Sequence, residues 1–258
     1  IMPIHRWLPA AMVAPTPVSA LLHAVAVVKA GVFSFLMVVV YIIGPDYLLQ
    51  SKASNWLVWL SSFTILTASI IAISKDDLKA RLAYSTISQL SYIILGAALA
   101  TTFALKGASF HIITHAAGKI TLFFCAGAIY VTAHVKKISE LGGLGFKTPM
   151  IFFAYTLGAL SIIGVPPLIG SWSKLFLVIG SLEADFLFVA VLLGISSLLN
   201  IYYLLQPVFI AFNKKNIKNI NITKAPLTVW PPVITGVGCL FLFFFSNYFL
   251  NIINGVVA

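Results

Sequence analysis

Apolar residues in this chain form long unbroken runs, and polar residues collect in the short gaps between them. A helix needs about 20 apolar residues to cross a hydrocarbon core of about 30 Å, and the pattern predicts seven such crossings. They cover about Val18–Gly44, Asn55–Ser74, Ala83–Thr101, Gly107–Ala133, Met150–Leu182, Phe186–Phe212 and Val229–Ile253. Gly44-Pro45-Asp46 is a turn signal after the first. The fifth is interrupted by Gly164-Val165-Pro166-Pro167 and reads as one broken span. Barrel strands would alternate apolar and polar positions over about ten residues, so the runs favour helices. The expected fold is an all-α polytopic transmembrane bundle.

Composition agrees with this pattern. Hydrophobic residues make up 60%, charged residues 9%, and mean hydropathy is +1.05, outside the range of water-soluble domains. Charge then orients the helices, because short cytoplasmic loops collect Lys and Arg. The loops after spans two, four and six carry Lys75, Lys79, Arg81, Lys136, Lys137, Lys147, Lys214, Lys215, Lys218 and Lys224. The others carry Lys52 and Lys106 against Asp46, Glu183 and Asp185. That asymmetry predicts a cytoplasmic amino end and an outer carboxyl end, and it requires the broken fifth segment to count as a full crossing. The net charge of +10 is therefore read as topology facing acidic lipid, with no nucleic-acid partner, since the basic residues form no clustered face.

Two cysteines, Cys125 and Cys239, lie inside spans. There is no CxxC, GxGxxG or phosphate loop, so no cofactor or redox chemistry is expected of the chain itself. The residues that stand out are ionisable groups within apolar helices, where a Lys near the bilayer centre costs roughly 3 kcal/mol on insertion scales. These are Lys29, Lys119 and Lys174, with His23, His111 and His115, whereas all six acidic residues fall in loops. Such lysines must meet water, give up their charge or find a partner elsewhere.

His111, His115 and Lys119 are spaced by four and share one helix stripe. A stripe of titratable groups suits a proton relay, although hydrogen bonds across a helix interface would also account for the histidines. A metal pair would lack a third ligand near in sequence. Lys29 lies about a dozen residues from either end of its span, too deep to snorkel easily. His23 is a further relay candidate on another face. The break at Gly164, Pro166 and Pro167 frees backbone groups beside which Lys174 could reach a hydrated cavity. A simple proline kink with Lys174 at an interface is the plainer alternative.

These residues carry a resemblance. His5-Arg6-Trp7-Leu8-Pro9-Ala10-Ala11-Met12 and Ala14-Pro15-Thr16-Pro17-Val18-Ser19-Ala20-Leu21-Leu22-His23-Ala24 are similar to the signature of the NADH:quinone oxidoreductase and Mrp antiporter membrane-subunit superfamily. So are the block Asp77–Tyr92, the helix from His111 through Thr114-His115 to Lys119, and the broken segment through Lys174. The likeness covers about residues 1 to 205. It implies two inverted five-helix repeats, each with a broken helix, and a string of buried Lys, His and Glu across the membrane.

On that frame the chain is one transmembrane domain, with four parts. Residues 1–17 end a preceding broken helix, 18–44 close the first repeat, 55–213 form the second, and 228–253 add a helix. Lys29 would be the central lysine, His111, His115 and Lys119 the linking cluster, and Lys174 the terminal residue. His111 and His115 would then bridge Lys29 to Lys119. The family's first-repeat Glu and its Lys partner are not in these 258 residues, so a C-terminal portion of a longer protein is expected.

The implied function is proton translocation in a multisubunit monovalent cation (Na⁺ or K⁺)/H⁺ antiporter, most like its D subunit. The alternative is an antiporter-like subunit of NADH:quinone oxidoreductase, respiratory complex I. The implied partners are other membrane subunits of such an assembly, and the implied location is a bacterial inner membrane. A scaffold subunit or an organic-solute transporter fits the buried lysines less well.

Overall fold

The computed structural model describes residues 1–213, 223 and 225–257, and the side chains of all of these except 23, 24, 256 and 257. The helices in chain order are α1 Trp7–Ala10, α2 Thr16–Ala20, α3 Val27–Met37, α4 Pro45–Ser51, α5 Asn55–Ser74, α6 Leu78–Leu99 and α7 Thr102–Ala133. They continue with α8 Leu144–Lys147, α9 Pro149–Ile163, α10 Gly170–Glu183, α11 Leu187–Ala211, α12 Pro226–Phe244 and α13 Ser246–Val257. No strand occurs among the described residues.

Five of these, α5, α6, α7, α11 and α12, are individually long and apolar enough to cross a membrane. The first predicted span is assembled from pieces. π-helical turns Leu21–Val25 and Val38–Ile43 flank α3, and α4 leaves at an angle of 79° at Gly44, whose φ of +85° suits only glycine.

α7 is the axis on which the rest is arranged, and glycines set the close approaches. A β-carbon on Gly180 would stand 2.3 Å from the Ala104 amide nitrogen, one on Gly107 2.8 Å from that of Leu177, and one on Gly118 2.8 Å from Ile162 Cδ1. Farther along, Cys125 donates to the Ile151 carbonyl at 3.4 Å. As numbering rises along α7, its partners fall from 180 to 151, so α9 and α10 together run antiparallel to α7 as one crossing in two pieces. Small residues at helix contacts are how membrane bundles gain close packing.

α12 and α13 continue one another in the same way. Thr223 N donates to Thr132 O at 2.9 Å, Gly236 packs on Thr121, and Phe249 meets Phe110 edge-on at 6.4 Å. The predicted seventh span therefore divides at Phe245. α11 returns along α9 and α10, with Phe212 by Phe152 at 6.1 Å and Trp59 of α5 stacked on Phe188 at 4.2 Å.

The loops sort to two ends. At one, Leu78 N donates to Lys136 O at 3.0 Å and Ile138 N to Asp76 O at 2.8 Å. At the other, Ser54 donates to Ala98 O at 2.6 Å and Thr101 to Gly180 O at 3.0 Å. The lysine-bearing loops before α6 and before α9 thus share one end; most of the loop carrying Lys214, Lys215, Lys218 and Lys224 lies outside the described residues.

Four predicted loop cations among the described residues are helical: Lys79 and Arg81 in α6, Lys106 in α7 and Lys147 in α8. Asp77 accepts from Ala80 N and Thr101 from Ala104 N, and these N-caps start α6 and α7 about five residues earlier than the hydropathy does. Lys106 consequently sits in α7 with Nζ 5.6 Å from the Phe103 ring centroid. Arg81 is 3% exposed within α6.

Candidate functional site

His111, His115 and Lys119 line the inner face of α7, and each is at most 2% exposed. The four-residue spacing stacks them along one stripe, with the two imidazole centroids 6.0 Å apart. Lys29 of α3 brings its ammonium onto His115 Nδ1, joining positions 86 residues apart in sequence. His111 Nδ1 meets Ser173 Oγ of α10 at 2.9 Å, and its ring stacks on Tyr92 of α6 at 5.5 Å. The Nε2 atoms of both histidines lack a partner within the protein. No third His, Cys, Asp or Glu among the described residues joins the pair in a metal-holding group.

Lys119 does not close the expected bridge through His115. It turns to α6, donating to Ser85 Oγ at 2.6 Å and Leu82 O at 3.2 Å. Lys174 of α10 reaches back across the break to Ile163 O at 2.8 Å and to Ser197 Oγ of α11 at 3.0 Å. Its Nζ stands 5.3 Å from the Tyr92 ring centroid, so Tyr92 lies between His111 and Lys174. The side chain of His23 lies outside the described residues; its backbone is in the π turn before α3.

The break itself is well defined. Gly164 has φ +91°, which ends α9 with a left-handed residue. A β-carbon on Gly170 would fall 1.7 Å from Ser161 O, so only glycine lets α10 start against α9. Every N–H from Gly164 to Ile169 is bonded. Gly164 and Val165 donate to Leu160 O, Leu168 to Val165 O, and Ile169 to Cys239 O of α12 at 3.3 Å; Pro166 and Pro167 have none to offer.

Sequence reading missed a second polar set, on the α6–α11 seam. Tyr203 OH donates to Ser85 Oγ at 3.0 Å and contacts Asn200 Oδ1, which also accepts from Gln89 Nε2 at 3.4 Å. All four are fully buried. The available signal was spacing: Ser85, Gln89 and Tyr92, and Ser196, Asn200 and Tyr203, each recur every three or four residues in apolar helices. None is ionised at neutral pH, so none stood out as a charge would.

The described acidic residues all lie near helix ends or in connections: Asp46, Asp76, Asp77, Glu140, Glu183 and Asp185. The array is therefore cationic and neutral-polar, built from Lys, His and hydroxyl groups linked across five helices, α3, α6, α7, α10 and α11. Such groups can pass protons between neighbours and bridging water.

Comparison with known proteins identifies the family and the fold. The chain is 38% identical over 219 residues to NADH-quinone oxidoreductase subunit N of Desulforudis audaxviator, covering 83% of this chain and 42% of that protein. It is 34% identical over 249 residues to subunit L of the Mycobacterium tuberculosis enzyme, covering 93% and 38%. The chain thus spans about two fifths of the length of these relatives. Its fold matches a chain in the Mrp complex of a Dietzia species with a TM-score of 0.88 at 21% identity, over 100% of this chain and 56% of that one. It matches a chain of respiratory complex I from Thermus thermophilus with 0.86 at 22%, over 99% and 54%. Residues 1–200 match the family described as NADH:quinone oxidoreductase/Mrp antiporter, TM, and the chain, a multi-pass membrane protein, belongs to that family.

Proposed function

We propose that this chain is the proton-translocating part of an antiporter-like subunit in a multisubunit membrane assembly. The observation that carries the reading is the Lys29–His115 contact inside the bundle, continued by His111 to Ser173 and by Lys174 at the break. A scaffold would gain nothing from lysines that must be desolvated without a carboxylate. A relay needs groups that lose and regain protons.

Two assemblies fit. The Mrp-type Na⁺(K⁺)/H⁺ antiporter, the first expectation from sequence, is supported by the fold likeness to a chain of the Dietzia Mrp complex. Identities of 38% and 34% to NADH-quinone oxidoreductase subunits favour the complex I-like reading, which we place first. In membrane vesicles holding the full-length assembly, NADH oxidation should then drive proton uptake or release. An imposed Na⁺ or K⁺ gradient that does so without NADH would reverse the order.

Lys29→Ala, Lys119→Ala and Lys174→Ala in the full-length, assembled protein should each lower proton-coupled transport by about tenfold or more while the assembly stays intact. Lys52→Ala and Lys106→Ala should have little effect. Normal transport in the three buried variants, or loss only through loss of the complex, would make those lysines structural.

A further inference from the structure

We infer that the α6–α11 seam is a second proton connection, a chain of hydroxyl groups and water that links Lys119 to Lys174 without passing through His111 or His115. It rests on the proton-translocation reading above. At one end Lys119 Nζ donates to Ser85 Oγ at 2.6 Å, and Ser85 shares a 3.0 Å hydrogen bond with the Tyr203 hydroxyl. At the other, Lys174 Nζ donates to Ser197 Oγ at 3.0 Å. Both lysines face this seam, and Lys119 does so in place of the histidine stripe on its own helix.

Between the two ends lies a group of unpartnered polar atoms. Gln89 Oε1, Tyr92 OH, Ser196 Oγ and Asn200 Nδ2 are all buried without a hydrogen-bond partner in the protein, and their four residues are fully buried. The Tyr92 hydroxyl faces Ser196, Ser197 and Asn200 without reaching bonding geometry with any of them. Buried polar atoms are rarely left unpaired, and a water molecule that finds two to four such partners is the usual solution. The set offers both kinds of partner: the Asn200 amide donates, the Gln89 carbonyl accepts, and the hydroxyls do either. Four unpaired atoms on facing turns of two helices mark a water site in the gap between the bonded ends.

Proton movement along this seam balances at each step. Tyr203 first turns its hydroxyl proton from Ser85 to the bridging water, which reverses the hydrogen bond the two share; an N–H bond then breaks at the Lys119 ammonium as its proton passes to Ser85 Oγ, Ser85 releases its own proton to the Tyr203 oxygen, and Tyr203 releases its own to the water. The water delivers a proton through the Tyr92 or Ser197 hydroxyl to neutral Lys174, where an N–H bond forms. Each hydroxyl ends as it began, and one positive charge has moved from α7 to α10. The amide of Asn200 does not conduct; it orients Tyr203 and the water.

The test uses the full-length assembled protein in its membrane. Tyr203→Phe and Tyr92→Phe remove one oxygen each and keep the rings, so assembly and melting temperature should hold while proton-coupled transport falls about tenfold. Tyr155→Phe, at another fully buried tyrosine whose hydroxyl has no partner, is the control and should transport normally. A cryo-EM map at water-resolving quality should show density between Tyr92, Ser196 and Asn200. Wild-type transport in Tyr203→Phe and Tyr92→Phe, an equal loss in Tyr155→Phe, or a gap without water density would each overturn the inference. If Lys119→Ala and Lys174→Ala abolish transport while both phenylalanine variants run normally, the seam alone fails. If the lysine variants also run normally, the underlying relay reading fails with it.

Discussion

Two basic side chains in this bundle, Lys174 and Arg81, bind carbonyls that have no helical N–H partner. The helical partner of Ile163 O would be the N–H of residue 167 and that of Tyr203 O the N–H of residue 207, and both are proline. Lys174 takes the first at 2.8 Å and Arg81 the second at 3.2 Å. Arg81 also donates to Lys75 O at 2.9 Å and Ile73 O at 3.2 Å at the end of α5, so it ties α5, α6 and α11 together. Pro207→Ala would restore the N–H that Tyr203 O lacks, and the cost of Arg81→Ala should then be smaller in that background. The expected coupling is about 0.6–1.7 kcal/mol, the span measured for hydrogen bonds in a membrane bundle, read as non-additive unfolding free energies of the four variants; strict additivity would show that the carbonyl is not what Arg81 serves. At this scale charge was legible in the sequence and neutral polarity was not. Lys29, Lys119 and Lys174 stand out because a buried ammonium is costly. Ser85 and Tyr203, 118 residues apart, gain meaning only when α6 and α11 pack side by side.

Identical dipeptides behave differently in two elements. Pro166-Pro167 lies in the break between α9 and α10, whereas Pro231-Pro232 lies inside α12. The first follows Gly164 in a left-handed conformation, which has already ended the helix. The second falls six and seven residues into a helix, where few N–H bonds have yet been set. The break at Phe245 has no Gly or Pro near it and was invisible to the sequence, while the broken fifth span was legible from Gly164 onward. Between elements, the loop before α6 is clipped to the loop after α7 by Asp76, which accepts from Ser139 N at 3.0 Å and Ser139 Oγ at 2.8 Å. Partial burial pushes the Asp76 carboxyl up, but the two Ser139 hydrogen bonds and the charges of Lys137 and Arg81 outweigh it and hold the group below its usual value. A carboxylate so lowered stabilises the fold fully above its unfolded pKa of about 4, and that contribution disappears as pH falls through the lower folded value. Asp76→Asn should therefore reduce the melting temperature at pH 6, and the difference from wild type should narrow toward pH 3. A gap that stayed constant across that range would remove the carboxylate charge from the explanation.

At the scale of the whole molecule, the order of crossings places the loops before α6 and before α9 at one end, and those around Ser54, Thr101 and Glu183 at the other. The positive-inside asymmetry assigns the first end to the cytoplasm. Cysteine at exposed Lys137 should react with an impermeant thiol reagent from the cytoplasmic side, and cysteine at exposed Glu183 from the outer side; the opposite labelling would invert the orientation. Alternation of apolar runs made this layout readable from sequence, but the role of α7 was not, because hydropathy set its start at Gly107 and gave it no rank among its neighbours. Its 32 residues make a rod of about 48 Å, longer than the hydrocarbon core, and it has no joint. The elements around it do: the chain bends at Gly44, opens at 164–169 and divides at Phe245. The stripe of His111, His115 and Lys119 is thus mounted on a fixed rail, while Lys29 and Ser173 ride on jointed arms that touch it at His115 and His111. Small rotations at those joints would make or break the two contacts and leave the spacing of the stripe unchanged, so on the proposed relay reading the array would be wired as a pair of switches closing onto one stationary conductor.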